Sequence, residues 1–181
     1  MKGKDKEFLE EIRKDTWERV KTILILLFII GALFYMLSQA TIVHAADDPY
    51  IDSTYYPYIE EICKDYNISP ELVSAIIWKE SRWTPDAENE GCIGIMQINE
   101  KYHTERMERL GVTSLYDPEQ CILVGVDYLA ELFAKYEDPY LVLMKYNGTS
   151  GAYEKWSKGN YSSYAISVSD ISILLEREAG K

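Results

Sequence analysis

Residues 69–81 read Ser69-Pro70-Glu71-Leu72-Val73-Ser74-Ala75-Ile76-Ile77-Trp78-Lys79-Glu80-Ser81. The opening pair marks a helix start, because a serine side chain satisfies free amide groups and proline suits the first helical position. At about 100° per residue, Leu72, Val73, Ile76 and Ile77 spread over one broad apolar stripe. Glu80 falls close to the centre of that stripe, while Trp78 and Ser81 lie well away from it. A carboxylate that is ionised, dry and unpaired costs several kcal/mol, so Glu80 is protonated, paired or at the rim of a cleft. Pairing with Arg82 or Lys79, or a helix that has already ended, would make it an ordinary charge. Partial desolvation would instead raise its pKa and keep a proton at neutral pH, as a general acid for a glycosidic oxygen needs.

Outward from this helix the chain repeats the same punctuation. A helix over residues 55–66 stops at Asn67, a residue that tolerates the left-handed conformation. A third helix near Thr104–Leu110 ends at Gly111, and Asp117-Pro118 launches the longest, to about Tyr136, apolar on most sides as in the centre of a bundle. Asp138-Pro139 opens a short helix ending at Asn147-Gly148, and segments near 152–157 and 163–178 follow. Residues 84–100 read as loop. The expected class is all-α, with at most one small irregular hairpin around Gly91–Ile98.

Towards the N-terminus, residues 22–46 carry no Asp, Glu, Lys or Arg, long enough for a membrane helix. Arg13, Lys14, Arg19 and Lys21 precede it and Asp47-Asp48 follow, so the positive-inside rule puts residues 1–21 in the cytoplasm and the remainder outside. The competing reading is a signal peptide cleaved after Ala45. The expected organisation is a cytoplasmic segment (1–21), a membrane anchor (22–46), a linker (47–54) and one exported domain (55–181). Residues 47–181 carry 12 Lys and Arg against 24 Asp and Glu, a formal −12 that disfavours nucleic acid. Cys63, Cys92 and Cys121 leave disulfide pairing open, and with His103 as the sole exported histidine no zinc site or cofactor is expected.

Glu80-Ser81-Arg82-Trp83, then Gly94-Ile95-Met96-Gln97-Ile98, then Tyr146-Asn147-Gly148 and Tyr164-Ala165 occur in an order and spacing that carry a resemblance. Over about residues 55–168 the chain resembles the catalytic domain of soluble-lytic-transglycosylase (SLT) type, a relative of goose-type lysozyme. The resemblance implies a lysozyme-like helical lobe with a glycan groove and Glu80 as general acid, then general base. It implies substrate-binding roles for Ser81, Gly94, Met96, Gln97, Tyr146, Asn147 and Tyr164, with Lys145 where the family pattern has alanine. The implied reaction splits the β-1,4 bond from N-acetylmuramic acid to N-acetylglucosamine and closes a 1,6-anhydro ring, so one carboxylate suffices where glycosidases usually use two.

Departures from the pattern are Asn89 near a usual serine, Cys92 at a usually small position, no alanine before Gly148, and Asn160 near a usual acid. Asp86 and Glu90 are candidate second carboxylates in a loop, and a second carboxylate would favour a hydrolytic muramidase. A third class is a non-catalytic glycan-binding subunit; the small size and tether also suit wall opening for a secretion, conjugation or phage machine. Trp83 and Trp156 suit either sugar stacking or burial, and His103 reads as a surface or packing residue.

Overall fold

The computed structural model describes residues 13, 14, 16–35 and 48–180. The chain divides into two units, Met1–Asp48 and Pro49–Lys181. In the first, residues 16–35 are helical (α1), with apolar side chains such as Leu24, Phe28, Ile30 and Phe34 exposed. No helix among the described residues is long and apolar enough to cross a membrane. Residues 36–46 of the expected anchor, including the Ala45 cleavage position, and residues 1–12 of the expected cytoplasmic segment lie outside the described residues.

The second unit contains α2 (Tyr56–Tyr66), α3 (Pro70–Ser81), α4 (Glu100–Leu110), α5 (Pro118–Lys135), α6 (Pro139–Tyr146), α7 (Ala152–Ser157) and α8 (Ser163–Glu178). Their starts follow from local chemistry. Ser69, Asp117, Asp138 and Ser162 accept the amides of Leu72, Gln120, Leu141 and Ala165, each at the third helical position. Asn67 and Gly111 close α2 and α4 in the left-handed conformation. Helix α4 begins earlier than the sequence suggests because it follows directly from a strand, and Asn99 supplies no side-chain cap.

Between α3 and α4 lies a sheet of three two-residue strands, β1 (Glu88–Asn89), β2 (Cys92–Ile93) and β3 (Ile98–Asn99), paired antiparallel in that order. The β1–β2 connection is Glu90-Gly91, both at positive φ, as a two-residue hairpin turn requires. The expected single hairpin is thus a three-stranded meander. Strands of two residues leave no alternation for a sequence to display.

Helix α3 packs against α8 and α2, and α5 against α2, α4 and α6. Ile76, Ile77, Ile122, Leu129, Leu143 and Met144 fill the interior, each contributing about 1.5–3 kcal/mol by leaving water. Helix α3 is covered beyond its predicted stripe: Trp78 is 5% exposed, with the Tyr50 ring edge-on at 5.0 Å and the Arg82 guanidinium 4.3 Å from its centre. Tyr50, in the segment expected to be a linker, therefore packs on the domain.

Candidate active site

Glu80 sits in the last turn of α3, where the helix is about to be broken. Arg82 and Trp83 follow at φ 53° and 62°, two consecutive left-handed residues that turn the chain sharply. Packing holds that turn. Trp83 is buried, its indole N–H donates to the Tyr50 carbonyl at 2.9 Å, and its ring stacks on Tyr55. Burial, rather than sugar stacking, accounts for Trp83.

The Glu80 side chain is half-buried, and the Tyr164 hydroxyl of α8 donates to its Oε1 at 2.5 Å. Oε2 has no hydrogen-bond partner among the described residues. Among the described residues neither Lys79 nor Arg82 forms an ion pair with Glu80, and the Arg82 guanidinium lies over Trp78. Desolvation raises the Glu80 pKa and outweighs the lowering by the Tyr164 hydrogen bond and the charge of Lys79. Burial, reinforced by the Glu80 charge, pushes the Tyr164 hydroxyl well above its usual range, so it remains a donor. The arrangement is a carboxyl with one oxygen anchored and the other free to carry a transferable proton.

The Gly94–Gln97 turn is clamped to the same helix end. The Ser81 hydroxyl donates to the Ile95 carbonyl at 2.7 Å. Gly94 has φ 77°, and a β-carbon there would stand 2.1 Å from the Leu115 carbonyl oxygen. The Gln97 amide donates to the Ala87 and Gly94 carbonyls, both at 3.0 Å, so it braces its own loop. Met96 is fully buried against Gly125, and its carbonyl accepts the Tyr146 hydroxyl at 3.0 Å. Gly94 and Met96, expected to touch substrate, are interior residues that shape the wall. Asn147, exposed, caps α6.

Beside Tyr146 opens a groove of about 270 Å³ whose lining includes Gln97, His103, Tyr128, Lys145, Tyr146 and Asn147. His103 packs edge-on against Tyr128 at 4.6 Å, and its Nδ1 accepts from Arg106 Nε at 3.3 Å. Burial and the Arg106 charge lower its pKa, so the ring is neutral with its proton on Nε2. It is a packing residue, as expected, and also part of the groove wall. The Glu80 charge reaches this wall through Tyr146, whose hydroxyl is held neutral by burial and by that charge.

The family model of the transglycosylase SLT domain matches residues 57–168. The chain belongs to the transglycosylase SLT domain family. It is 34% identical over 83 residues to a membrane-bound lytic murein transglycosylase F of Desulfosudis oleivorans, covering 45% of this chain and 17% of that protein. It is 34% identical over 84 residues to the transglycosylase of Enterobacteria phage PRD1, covering 46% and 30%. An X polypeptide of Escherichia coli is 32% identical over 108 residues, covering 50% and 63%. The chain thus spans less than two thirds of the curated relatives it matches. Among solved structures, an inactive Glu→Gln mutant of the lytic transglycosylase Slt from Pseudomonas aeruginosa aligns with TM-score 0.60 at 17% identity, covering 68% of this chain and 24% of that one. The shared fold is the lysozyme-like helical one.

Within this SLT domain, Asp86 and Glu90 are exposed, and neither is hydrogen-bonded to Glu80 among the described residues. Cys63, Cys92 and Cys121 are free thiols; burial pushes Cys121 up to about 11 and Cys63, further burdened by the Glu71 charge, up to about 12. No cluster suited to a metal ion occurs among the described residues. Two buried acids went unread in the sequence. Glu71 accepts from Tyr56 and Ser69 at 2.9 and 3.0 Å. Asp127 is gripped by Arg106 and Arg109 and accepts from Tyr66. Both look like ordinary helix charges in one dimension, and their partners on other elements are what distinguish them.

Proposed function

We propose that this chain is a membrane-tethered peptidoglycan lytic transglycosylase with Glu80 as its single acid and base. The observation that carries the reading is the half-buried Glu80 carboxyl with raised pKa, anchored through Oε1 by Tyr164 and free at Oε2. Family membership and the relatives named as transglycosylases support it.

The proton on Oε2 passes to the leaving oxygen as the bond from N-acetylmuramic acid to N-acetylglucosamine breaks. Glu80 is then a carboxylate, and the Tyr164 hydrogen bond strengthens because it now stabilises charge. The C6 hydroxyl of the muramoyl sugar attacks C1, its proton goes to Glu80, and the 1,6-anhydro ring closes without water. The carboxyl is regenerated as it began.

Ser81, Gly94 and Met96 fix the turn, while Gln97, Tyr146 and Asn147 present the glycan wall. The exposed apolar side chains of α1 support anchoring through residues 22–46, with the SLT domain outside the membrane and residues 1–21 in the cytoplasm. The phage relative supports a role in local wall opening for a larger machine. Glu80→Gln keeps size and the acceptor for Tyr164 but has no transferable proton. Glycan release from purified sacculi should fall by at least about 1,000-fold, corresponding to about 4 kcal/mol of barrier; unchanged release would end the proposal.

A further inference from the structure

The groove has a charge that cleavage of a neutral sugar backbone does not use. None of its lining residues is Asp or Glu, although residues 47–181 carry a formal −12. Lys145 forms part of the wall, and its ammonium stands over Tyr136, 5.5 Å from the ring centre. The Lys135 ammonium lies 5.4 Å from the centre of the same ring. A cation–π contact holds an ammonium in place without neutralising it.

The two neighbouring arginines are already committed. Arg106 pairs with Asp127 and Glu131, and Arg109 with Asp127. Lys145 and Lys135 have no carboxylate partner among the described residues. The uncommitted ammonium groups near the groove are therefore those of Lys145, one residue along α6 from Tyr146 in the wall, of Lys135 on the same Tyr136 ring at the end of α5, and of Lys101, 5.7 Å from the ring centre of Tyr102 in the wall.

In peptidoglycan the N-acetylated sugars are neutral, and the negative groups are carboxylates of the peptide stem attached to the muramic acid. We propose that Lys145, with Lys135 across Tyr136, forms a subsite for a free carboxylate of that stem, so that stems with free acids are selected over amidated ones. This rests on the lytic transglycosylase reading for the identity of the polymer. The recognition itself is a charge-assisted hydrogen bond at a partly covered site.

The test measures equilibrium binding of a disaccharide-tetrapeptide to the full chain carrying Glu80→Gln, once with the stem carboxylates free and once with them amidated. The free acid should bind about tenfold more tightly in low salt, a preference that shrinks as salt is raised. Lys145→Met should bring the two affinities together, and Lys145→Arg should retain the preference. Equal affinities for the two ligands in the unsubstituted groove would overturn the subsite whether or not any variant folds, as would an intact preference in Lys145→Met. Sacculus cleavage by the chain with Glu80 intact is assayed in parallel. An acid preference without cleavage would refute the enzyme reading and leave the carboxylate subsite standing.

Discussion

Tyr164→Phe deletes one oxygen and almost nothing else. The ring stays in a site that is 8% exposed, so packing is retained, while the 2.5 Å donor to Glu80 Oε1 disappears. A hydrogen bond to a charged acceptor contributes about 1.5–3 kcal/mol. The bond matters most once Glu80 has given up its proton, so the loss falls on the transition state and kcat should drop about 10- to 100-fold. The pH profile should move as well. Burial raises the Glu80 pKa and the Tyr164 bond opposes it, so deleting the bond lifts the pKa further. The alkaline limb of kcat/KM, where the free enzyme loses its acid proton, should shift to higher pH. Stability carries the same sign: a raised carboxyl pKa means stability fully present below the unfolded value and lost as pH rises through the folded value, and in Tyr164→Phe that loss extends to higher pH. Sacculus turnover and thermal melts across pH measure both. A kcat within twofold of the parent, or an alkaline limb moved to lower pH, would rule out this role for Tyr164.

Asp127→Asn should destabilise the domain by about 3–5 kcal/mol, because Arg106 and Arg109 lose a buried partner. Burial alone would raise the Asp127 pKa, but the hydrogen bonds and charges of the two arginines bring it below the usual range. Its contribution is thus present above the ordinary carboxylate pKa and lost as pH falls through the lower folded value, and the acid limb of a melting-temperature profile should flatten in the variant. Gly94→Ala should cost at least about 3 kcal/mol, read by denaturant unfolding, since the added carbon meets the Leu115 backbone and the Cys121 sulfur at positive φ. Ser74→Ala should stabilise by about 1 kcal/mol in the same assay, because the buried Ser74 hydroxyl has no hydrogen-bond partner among the described residues.

The features legible in the sequence were those encoded locally. Ser-Pro and Asp-Pro pairs cap α3, α5 and α6 because the side chain and the amide it accepts are three residues apart. Glu80 was legible as an anomaly, and resemblance to SLT domains gave that anomaly a chemistry. Tyr164 was legible as a site residue but not as the partner of Glu80, since 84 positions separate them and α8 meets α3 only in the folded domain. Met96 and Gly94 sit in a motif that suggested substrate contact, yet their side-chain positions are interior, against Gly125 and Leu115. The same limit hid the Asp127 network and the Tyr50 packing on Trp78, because each joins elements distant in the chain.

Mass spectrometry of the muropeptides released from purified sacculi reads directly whether Glu80 completes cleavage without a water molecule. The expected products are 1,6-anhydromuramoyl ends, lighter than hydrolytic products by one water, formed by the parent chain and absent with Glu80→Gln. Reducing ends in place of anhydro ends would contradict cleavage without water and make the protein a hydrolytic muramidase, while anhydro ends persisting with Glu80→Gln would remove Glu80 from the chemistry.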